Sequence, residues 1–527
     1  MDSNMSATDE YDYVIIGSGF GGSVSALRLS EKGYKVLVIE KGKWFNHADD
    51  FPKTNWNLRK WMWYPRLGMQ GIFRLSFYRH VAVLSGAGVG GGSLVYANTL
   101  PVPPKAFFNT GHWNGLADWE SELKSFYDLA RKMLGASPHP YMSRSDKVMQ
   151  AIAEEMVSKD AFHKTDNAVY FGKPGETVPD PYFDGRGPDR TGCILCGGCM
   201  LGCRYNSKNT LDKNYLHLAQ QSGCEIMAET EVYDVVPIGK DGSDGYTIHF
   251  KNSLSWFPKK GSVKTKGVIF AGGVLGTMDL LLKLKDTSLP HLSDTLGNGV
   301  RTNSESLIGV TTFEKDVSFS EGIAIGSIVH IDENRSVEPV KYSAGAGFWR
   351  IFMAPMVHGR SVIGRFAKMV GDWIRHPDDN FKVYFVDDWS KRTHILLYME
   401  TLDSTIRMKR SKLGFLKTRM ESGAVPTAFN PMAQDIARRT AKIINGKAMV
   451  MGTETLFGIP TTAHILGGAC MGDSAASGVI DKNNLVFNYQ NMMICDGSMI
   501  SANPGVNPSL SITAITERAM SKVKAKE

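Results

Sequence analysis

The hydrophobic pattern is densest near the start of the chain. An unbroken apolar run, Tyr13-Val14-Ile15-Ile16, meets glycines at positions 17, 19 and 22, and the small-residue stretch 23–30 then has a helical pattern. A second apolar run, 35–39, ends on an acid at position 40. Short apolar runs bounded by glycine predict strands buried on both faces, so the first forty residues read strand–turn–helix–strand. The same pattern returns at 267–277, where Val268-Ile269-Phe270-Ala271 runs into Gly272 and Gly273. Between these repeats, helices are expected over 119–134 and 145–157. A further helix in 209–228 leads into strands over 226–238 and 246–250. From 308 to 455 the pattern alternates, with strands expected at 324–330, 381–386 and 394–402. These predict an antiparallel sheet in a separate domain. The fold class expected is α/β, a Rossmann-like domain of discontinuous segments joined to an α+β domain with an antiparallel sheet.

Two stretches mix aromatic, methionine and basic residues. The first, 56–80, holds Trp56, Trp61, Trp63, Tyr64, Phe73 and Phe77 among Arg59, Lys60, Arg66 and Arg74. The second, 348–374, holds Trp349, Phe352, Phe366 and Trp373 among Arg350, Arg360, Arg365 and Lys368. Each reads either as core with a solvated basic face or as a surface turned to lipid or an apolar substrate.

Composition narrows the class. With 527 residues, 43% of them apolar and 21% charged, the chain has the make-up of a soluble globular protein large enough for two to four domains. A net charge of +7 without a basic block argues against nucleic acid as a partner. No run of 18 apolar residues predicts a membrane span, and residues 1–12 lack the apolar core of an export signal. Four of the seven cysteines fall within eleven residues, which is metal-type usage more than a disulfide framework. A cytoplasmic protein, with peripheral membrane contact left open, is the expectation.

The chemistry begins at Gly17-x-Gly19-x-x-Gly22. Here Gly17 permits the tight turn, Gly19 lets backbone approach a pyrophosphate, and Gly22 lets helix and strand pack closely. Glu40, 18 residues on, stands where a ribose hydroxyl is bound. The glycine-rich run 86–92, followed by Ser93 and Asn98, suits backbone laid against a flat ligand, and Gly272 suggests a second approach to the same dinucleotide. Cys193, Cys196, Cys199 and Cys203 have the C-x-x-C-x-x-C-x-x-x-C spacing of bacterial ferredoxin ligands. Arg204 stands where ferredoxins have proline and no second cysteine set exists, so the fourth ligand is Cys203 or Cys224. A [4Fe–4S] cluster is the leading reading, with zinc and free thiols as alternatives.

The C-terminal segment carries His464-Ile465-Leu466-Gly467-Gly468, then Cys495-Asp496-Gly497-Ser498 and Val506-Asn507-Pro508-Ser509. With the first fingerprint and the 86–92 loop, these resemble the glucose–methanol–choline flavin oxidoreductases, in particular their cholesterol oxidase-like branch. The resemblance implies FAD, with its pyrophosphate on Gly17, Gly19, Phe20 and Gly22 and its ribose on Glu40. It further implies the flavin along Gly88, Gly92, Ser93 and Asn98, with Asp496, Gly497 and Pro508 also at the cofactor. It implies His464 and Asn507 at the flavin, holding a substrate hydroxyl, and a proton-moving glutamate for which Glu338 is the candidate and Glu400 the rival. The implied organisation is FAD-binding segments at 1–110, 207–307 and 459–527, a cap region with the cysteines at 111–206, and a substrate domain at 308–458.

The implied reaction is oxidation of a secondary hydroxyl on a hydrophobic, sterol-like substrate. The cluster would relay electrons to an acceptor protein or quinone. A flavin-dependent enone isomerase and an electron-transfer flavoprotein are the rival readings.

Overall fold

The computed structural model describes residues 10–359, 361–402, 404–423 and 426–527. Strand Glu10–Ile16 lies parallel between Val36–Ile39 and Lys260–Phe270, and Glu225–Met227 extends the sheet beyond Val36–Ile39. The long strand Lys260–Phe270 serves two neighbours on its far edge. Its first half pairs antiparallel with Tyr246–Asn252, which continues to Thr230–Pro237, while residues 268–270 pair parallel with Met492–Ile494. Start, middle and end of the chain thus share one seven-stranded sheet. All four residues of Val36–Ile39 are buried, which is why the run has no polar positions.

The turn into helix Phe20–Glu31 depends on its glycines. Gly17 has φ +104°, and a Cβ there would lie 2.4 Å from the Ala271 carbonyl oxygen. A Cβ on Gly22 would lie 2.1 Å from the oxygen of Gly17, so helix and strand could not close on one another.

The second sheet is antiparallel throughout. Its seven strands run Met353–Pro355, Gly446–Met451, Ser306–Thr312, Thr393–Glu400, Arg335–Val340, Ser327–Asp332 and Phe162–Lys164. Strand Thr393–Glu400 is buried on both faces. Ile395, Leu397 and Met399 join one apolar cluster, while Leu396 and Tyr398 join another with Ile436 and Ala437 of helix Pro431–Ile443. That alternation places odd-numbered positions of this strand against Trp61, Phe73 and Leu94 and even-numbered ones under the helices.

The expected strand at 381–386 is a correction: the chain there forms helix Pro377–Tyr384. Pro377 sits in its first turn with Asp378 and Asp379, the start signals of a helix, and these outweigh the alternating Phe381-Lys382-Val383-Tyr384 pattern. The 56–80 stretch is mainly wall and core. Trp61 and Trp63 are buried, and Trp61 stacks on Phe73 with ring centroids 4.9 Å apart. The 348–374 stretch contains helix Val362–Arg375, and Arg360 lies outside the described residues.

Candidate functional site

One cavity of about 970 Å³ joins the two sheets. At one end its wall is glycine backbone. Gly17, Gly19 and Phe20 face Gly92 across it, with Gly272 and Gly497 farther along. A Cβ added to Gly19 would meet nothing within 4 Å, so this backbone opens into the cavity, whereas a Cβ on Gly91 would come 2.7 Å from the Gly19 Cα. Two glycine loops therefore touch at a point where any side chain on Gly91 would force them apart. Ser18 ties them together: its Oγ donates to Glu40 Oε2 at 2.7 Å and accepts from Gly90 N at 3.1 Å.

Glu40 is buried and lines the cavity. Oε2 also accepts from Ser18 N at 3.0 Å, and Oε1 accepts from Gly42 N at 2.8 Å. Unused lone pairs remain on both oxygens for a ribose hydroxyl. Asp496, also in the wall, accepts from Ser498 N and Oγ and from Thr277 Oγ1, and burial raises its pKa. An open glycine cradle flanked by two held carboxylates fits a dinucleotide.

Four of the residues expected at the cofactor stand back from the cavity lining. Gly22 and Gly88 are packing positions, a Cβ on Gly88 falling 2.5 Å from Leu94. Ser93 Oγ donates to Gly90 O and accepts from Leu211 N, which holds the loop's shape. Asn98 is buried with φ +71° and both amide atoms unpartnered, and it lies beside the Cys199 thiol.

At the other end the cavity becomes an apolar chamber, with Ile325, Val340, Trp349, Ile395, Leu397 and Met451 among its walls. His464, Asn507 and Pro508 stand in the same lining. His464 Nδ1 lies 2.6 Å from Glu305 Oε1, and Glu305 is itself fixed by Thr462 Oγ1 at 2.9 Å and Ala463 N at 2.9 Å. With the Nδ1 proton donated to this carboxylate, Nε2 is the nitrogen left to accept a proton. Glu305 is buried and was not anticipated. It lies 159 positions before His464, at the start of strand Ser306–Thr312, and no local pattern links the two.

Glu338 is wholly buried, and neither carboxylate oxygen has a hydrogen-bond partner. It is registered opposite Leu397, as Val340 is opposite Ile395, so it shares the chamber-facing side of the sheet although it is not part of the lining. Burial pushes its carboxyl up to about 8; the Asn507 amide beside it works against the rise and the Glu305 carboxylate adds to it. The rival Glu400 has the opposite parity. Its Oε2 accepts from Asn430 Nδ2 at 2.9 Å and Tyr398 OH at 3.3 Å, a structural arrangement away from the chamber.

Cys193, Cys196, Cys199 and Cys203 line a second cavity of about 510 Å³. Cys224 is buried elsewhere, beside strand Glu225–Met227, so Cys203 is the fourth member of the set. Among the described residues no three His, Cys, Asp or Glu side chains are grouped to hold a single ion.

Comparison with known proteins places this geometry. Residues 457–516 match the GMC oxidoreductase family model, and residues 15–45 match an NAD(P)-binding Rossmann-like domain. The chain is 44% identical to a cholesterol oxidase of Acinetobacter baumannii, over 98% of this chain and 95% of that one. It is 42% identical to a cholesterol oxidase of Mycobacterium tuberculosis, over 97% and 91%. The chain belongs to the GMC oxidoreductase family. It is a GMC-type FAD-dependent oxidoreductase, and the fold is shared with pyridoxine 4-oxidase (TM-score 0.62, 13% identity, 97% of this chain and 98% of that one). No helix among the described residues is long and apolar enough to cross a membrane.

The cradle itself can be tested. Gly17→Ala puts a side chain where φ is +104° and the Ala271 carbonyl is in the way. A strain of roughly 1–3 kcal/mol is expected there. Purified variant should carry less than half the wild-type FAD per chain by absorbance, and full flavin content would refute the reading of this turn.

Proposed function

We propose that the enzyme oxidises a secondary hydroxyl of a sterol-like alcohol to a ketone. The observation that supports this is that His464, held by Glu305, and Asn507 line the same cavity as the glycine cradle and the apolar side chains. FAD bound on the cradle supplies the hydride acceptor. Nε2 of His464 takes the hydroxyl proton, the Asn507 amide orients the hydroxyl, and Glu305 fixes the imidazole and stabilises its charged form. The chamber holds the fused apolar rings and keeps water out. The cholesterol oxidase names of the two relatives favour a sterol over a small alcohol, and the His464–Asn507 pair argues against a flavoprotein that only carries electrons. Anaerobic mixing with cholesterol should bleach the flavin and yield one ketone per FAD. Unchanged flavin absorbance with a panel of 3-hydroxysteroids would overturn the reading.

Glu338 supports a second activity, double-bond migration in the enone product. A buried carboxyl without a partner, beside Asn507 on the chamber side, is what moving a proton between two carbons requires. Electrons removed from the alcohol need an acceptor, and the cysteine spacing points to an iron–sulfur relay toward a carrier protein or quinone.

The same proposal covers how an insoluble substrate is met. Helix Val362–Arg375 shows Ile363 (82% exposed), Phe366, Val370 and Ile374 to solvent, and Phe381 of the next helix and Phe385 just after it are also exposed. This face is proposed to rest on a lipid surface. Ile363→Asp combined with Ile374→Asp should lower retention on phosphatidylcholine–cholesterol vesicles at least fivefold while turnover of detergent-dispersed cholesterol stays within twofold. Equal retention would remove the membrane role.

A further inference from the structure

The four-cysteine segment is folded as a cradle. Leu195, a non-glycine residue, is held at φ +58° between Cys193 and Cys196, and Gly197 and Gly202 have φ of +69° and +77°. Backbone of this kind persists only where surrounding structure enforces it. The enforcement is visible: Gly197 N donates to Gly322 O and Gly322 N to Leu195 O, both at 2.8 Å. The result aims amides at sulfur, with Leu195 N 3.4 Å from Cys193 Sγ and Ser207 N 3.4 Å from Cys203 Sγ. Amide hydrogen bonds of this kind stabilise the sulfurs of an iron–sulfur centre.

Two buried lysines surround the cradle. Lys208 lines the cysteine cavity, and its Nζ donates only to carbonyl oxygens, Cys199 O at 2.8 Å and Leu94 O at 3.0 Å. Lys341 is also buried, has no hydrogen-bond partner at Nζ, and reaches Asp146 only at 3.8 Å; a Cβ on Gly322, in the cavity wall, would lie 3.3 Å from that Nζ. Buried cations in an apolar setting are costly unless an anion stands nearby. Lys341 has Asp146 beside it, whereas Lys208 Nζ is met only by carbonyl oxygens, so neutral thiols would leave Lys208 without a hydrogen-bonded anion. Four thiolates on a [4Fe–4S] core carry a double negative charge, threefold after reduction.

Among the described residues no three acid, imidazole or thiol side chains are grouped for a single ion. Tetrahedral zinc needs such a grouping. A cuboidal cluster does not, since each cysteine binds a different iron atom, and the 510 Å³ cavity leaves room for the core.

The location adds a role. Cys199 lines the cysteine cavity while its neighbour Met200 lines the flavin-side cavity, so one peptide separates the two. The Tyr96 ring, in the flavin-side wall, lies 4.7 Å from Lys208 Nζ.

We propose that Cys193, Cys196, Cys199 and Cys203 hold a [4Fe–4S] cluster, charge-compensated by Lys208 and Lys341, one wall away from the flavin. Its role in electron transfer rests on the alcohol-oxidising reading above. The alcohol loses two electrons and two protons to become a ketone. The electrons would cross the cluster singly, to reduce either two one-electron carrier proteins, with both protons released to solvent, or one quinone that takes up both protons.

The test is iron and acid-labile sulfide on anaerobically purified, FAD-loaded protein, followed by electron paramagnetic resonance after dithionite and, separately, after cholesterol. About four irons and four sulfides per FAD are expected, with a reduced-cluster signal from dithionite. Cys196→Ala should lose most of the iron and keep FAD; Cys193→Ser serves if that variant is insoluble. Lys208→Met should keep the iron and shift the reduction potential downward. Less than one iron per chain after anaerobic reconstitution with iron and sulfide overturns the proposal. A dithionite signal that cholesterol does not produce, in protein whose flavin cholesterol does bleach, removes the relay role. If cholesterol bleaches no flavin while dithionite gives the signal, the cluster stands and the alcohol reading falls.

Discussion

Alanine in place of His464 is expected to lower kcat for sterol oxidation by about 10²–10⁴-fold, the range spanned by a positioned general base, with FAD content unchanged. The FAD expectation follows from position. His464 lines the cavity, and the glycine cradle is built from segments that do not depend on its side chain. Glu305→Gln gives a sharper test because it changes almost no volume. The carboxylate accepts three hydrogen bonds at its two oxygens, from His464 Nδ1, Thr462 Oγ1 and Ala463 N. A glutamine has one accepting oxygen. If that oxygen keeps Ala463 N, the amide N–H₂ faces Nδ1 and drives the imidazole proton onto Nε2, the nitrogen that has to accept. The expected result is a kcat loss of at least tenfold with KM nearly constant, read by substrate saturation and by the rate of anaerobic flavin bleaching. A His464→Ala variant within tenfold of wild type would remove His464 from the chemistry, and Glu305 with it.

Readability from sequence followed the distance over which each feature is encoded. The first fingerprint is local: Gly17, Gly19, Gly22 and Glu40 sit within 24 residues, and the structure puts Gly17, Gly19 and Glu40 in one wall while Gly22 packs behind it. The two-faced burial of Thr393–Glu400 was less visible, since an antiparallel strand buried on both sides loses its polar alternation. Helix Pro377–Tyr384 looked like a strand because Phe381, Val383 and Phe385 alternate. The deciding information was the proline and two aspartates before them. Glu305 had no sequence signal at all, as its meaning comes from a contact with a residue in a different segment of the chain. The choice between Glu338 and Glu400 needed sheet register, for a single step in parity moves a carboxyl from the chamber side to the helix side. Asn98 and Ser93 belonged to a recognisable loop, yet the loop's turn directs their side chains inward.

Glu338→Gln is expected to separate the two activities. Amide cannot carry a proton from one carbon to another, so migration of the double bond should fall by about 10²–10⁴-fold, while alcohol oxidation stays within about tenfold because the Glu305–His464 pair is untouched. The readout is the product: wild type is expected to release the conjugated enone, and the variant the unconjugated ketone. Appearance of conjugated enone at the wild-type rate would exclude Glu338.

The pH dependence follows from the same burial. The carboxylate form is the base, and with a pKa near 8 isomerisation kcat/KM should rise with pH and level off above about 8. Stability runs the other way. The usual carboxyl value is 4.5, and below it Glu338 is neutral in both folded and unfolded chains and costs nothing. Between 4.5 and about 8 the unfolded chain ionises while the folded one stays protonated, so stability drains away with rising pH and reaches its floor above about 8. Glu454, also buried without partners and raised to about 8, adds a loss of the same sign. Glu338→Gln should therefore melt higher than wild type at pH 9 and show little difference at pH 4.5. The desolvation that lets this carboxyl weaken the fold under alkaline conditions is the same one that would raise its basicity in the proposed isomerisation.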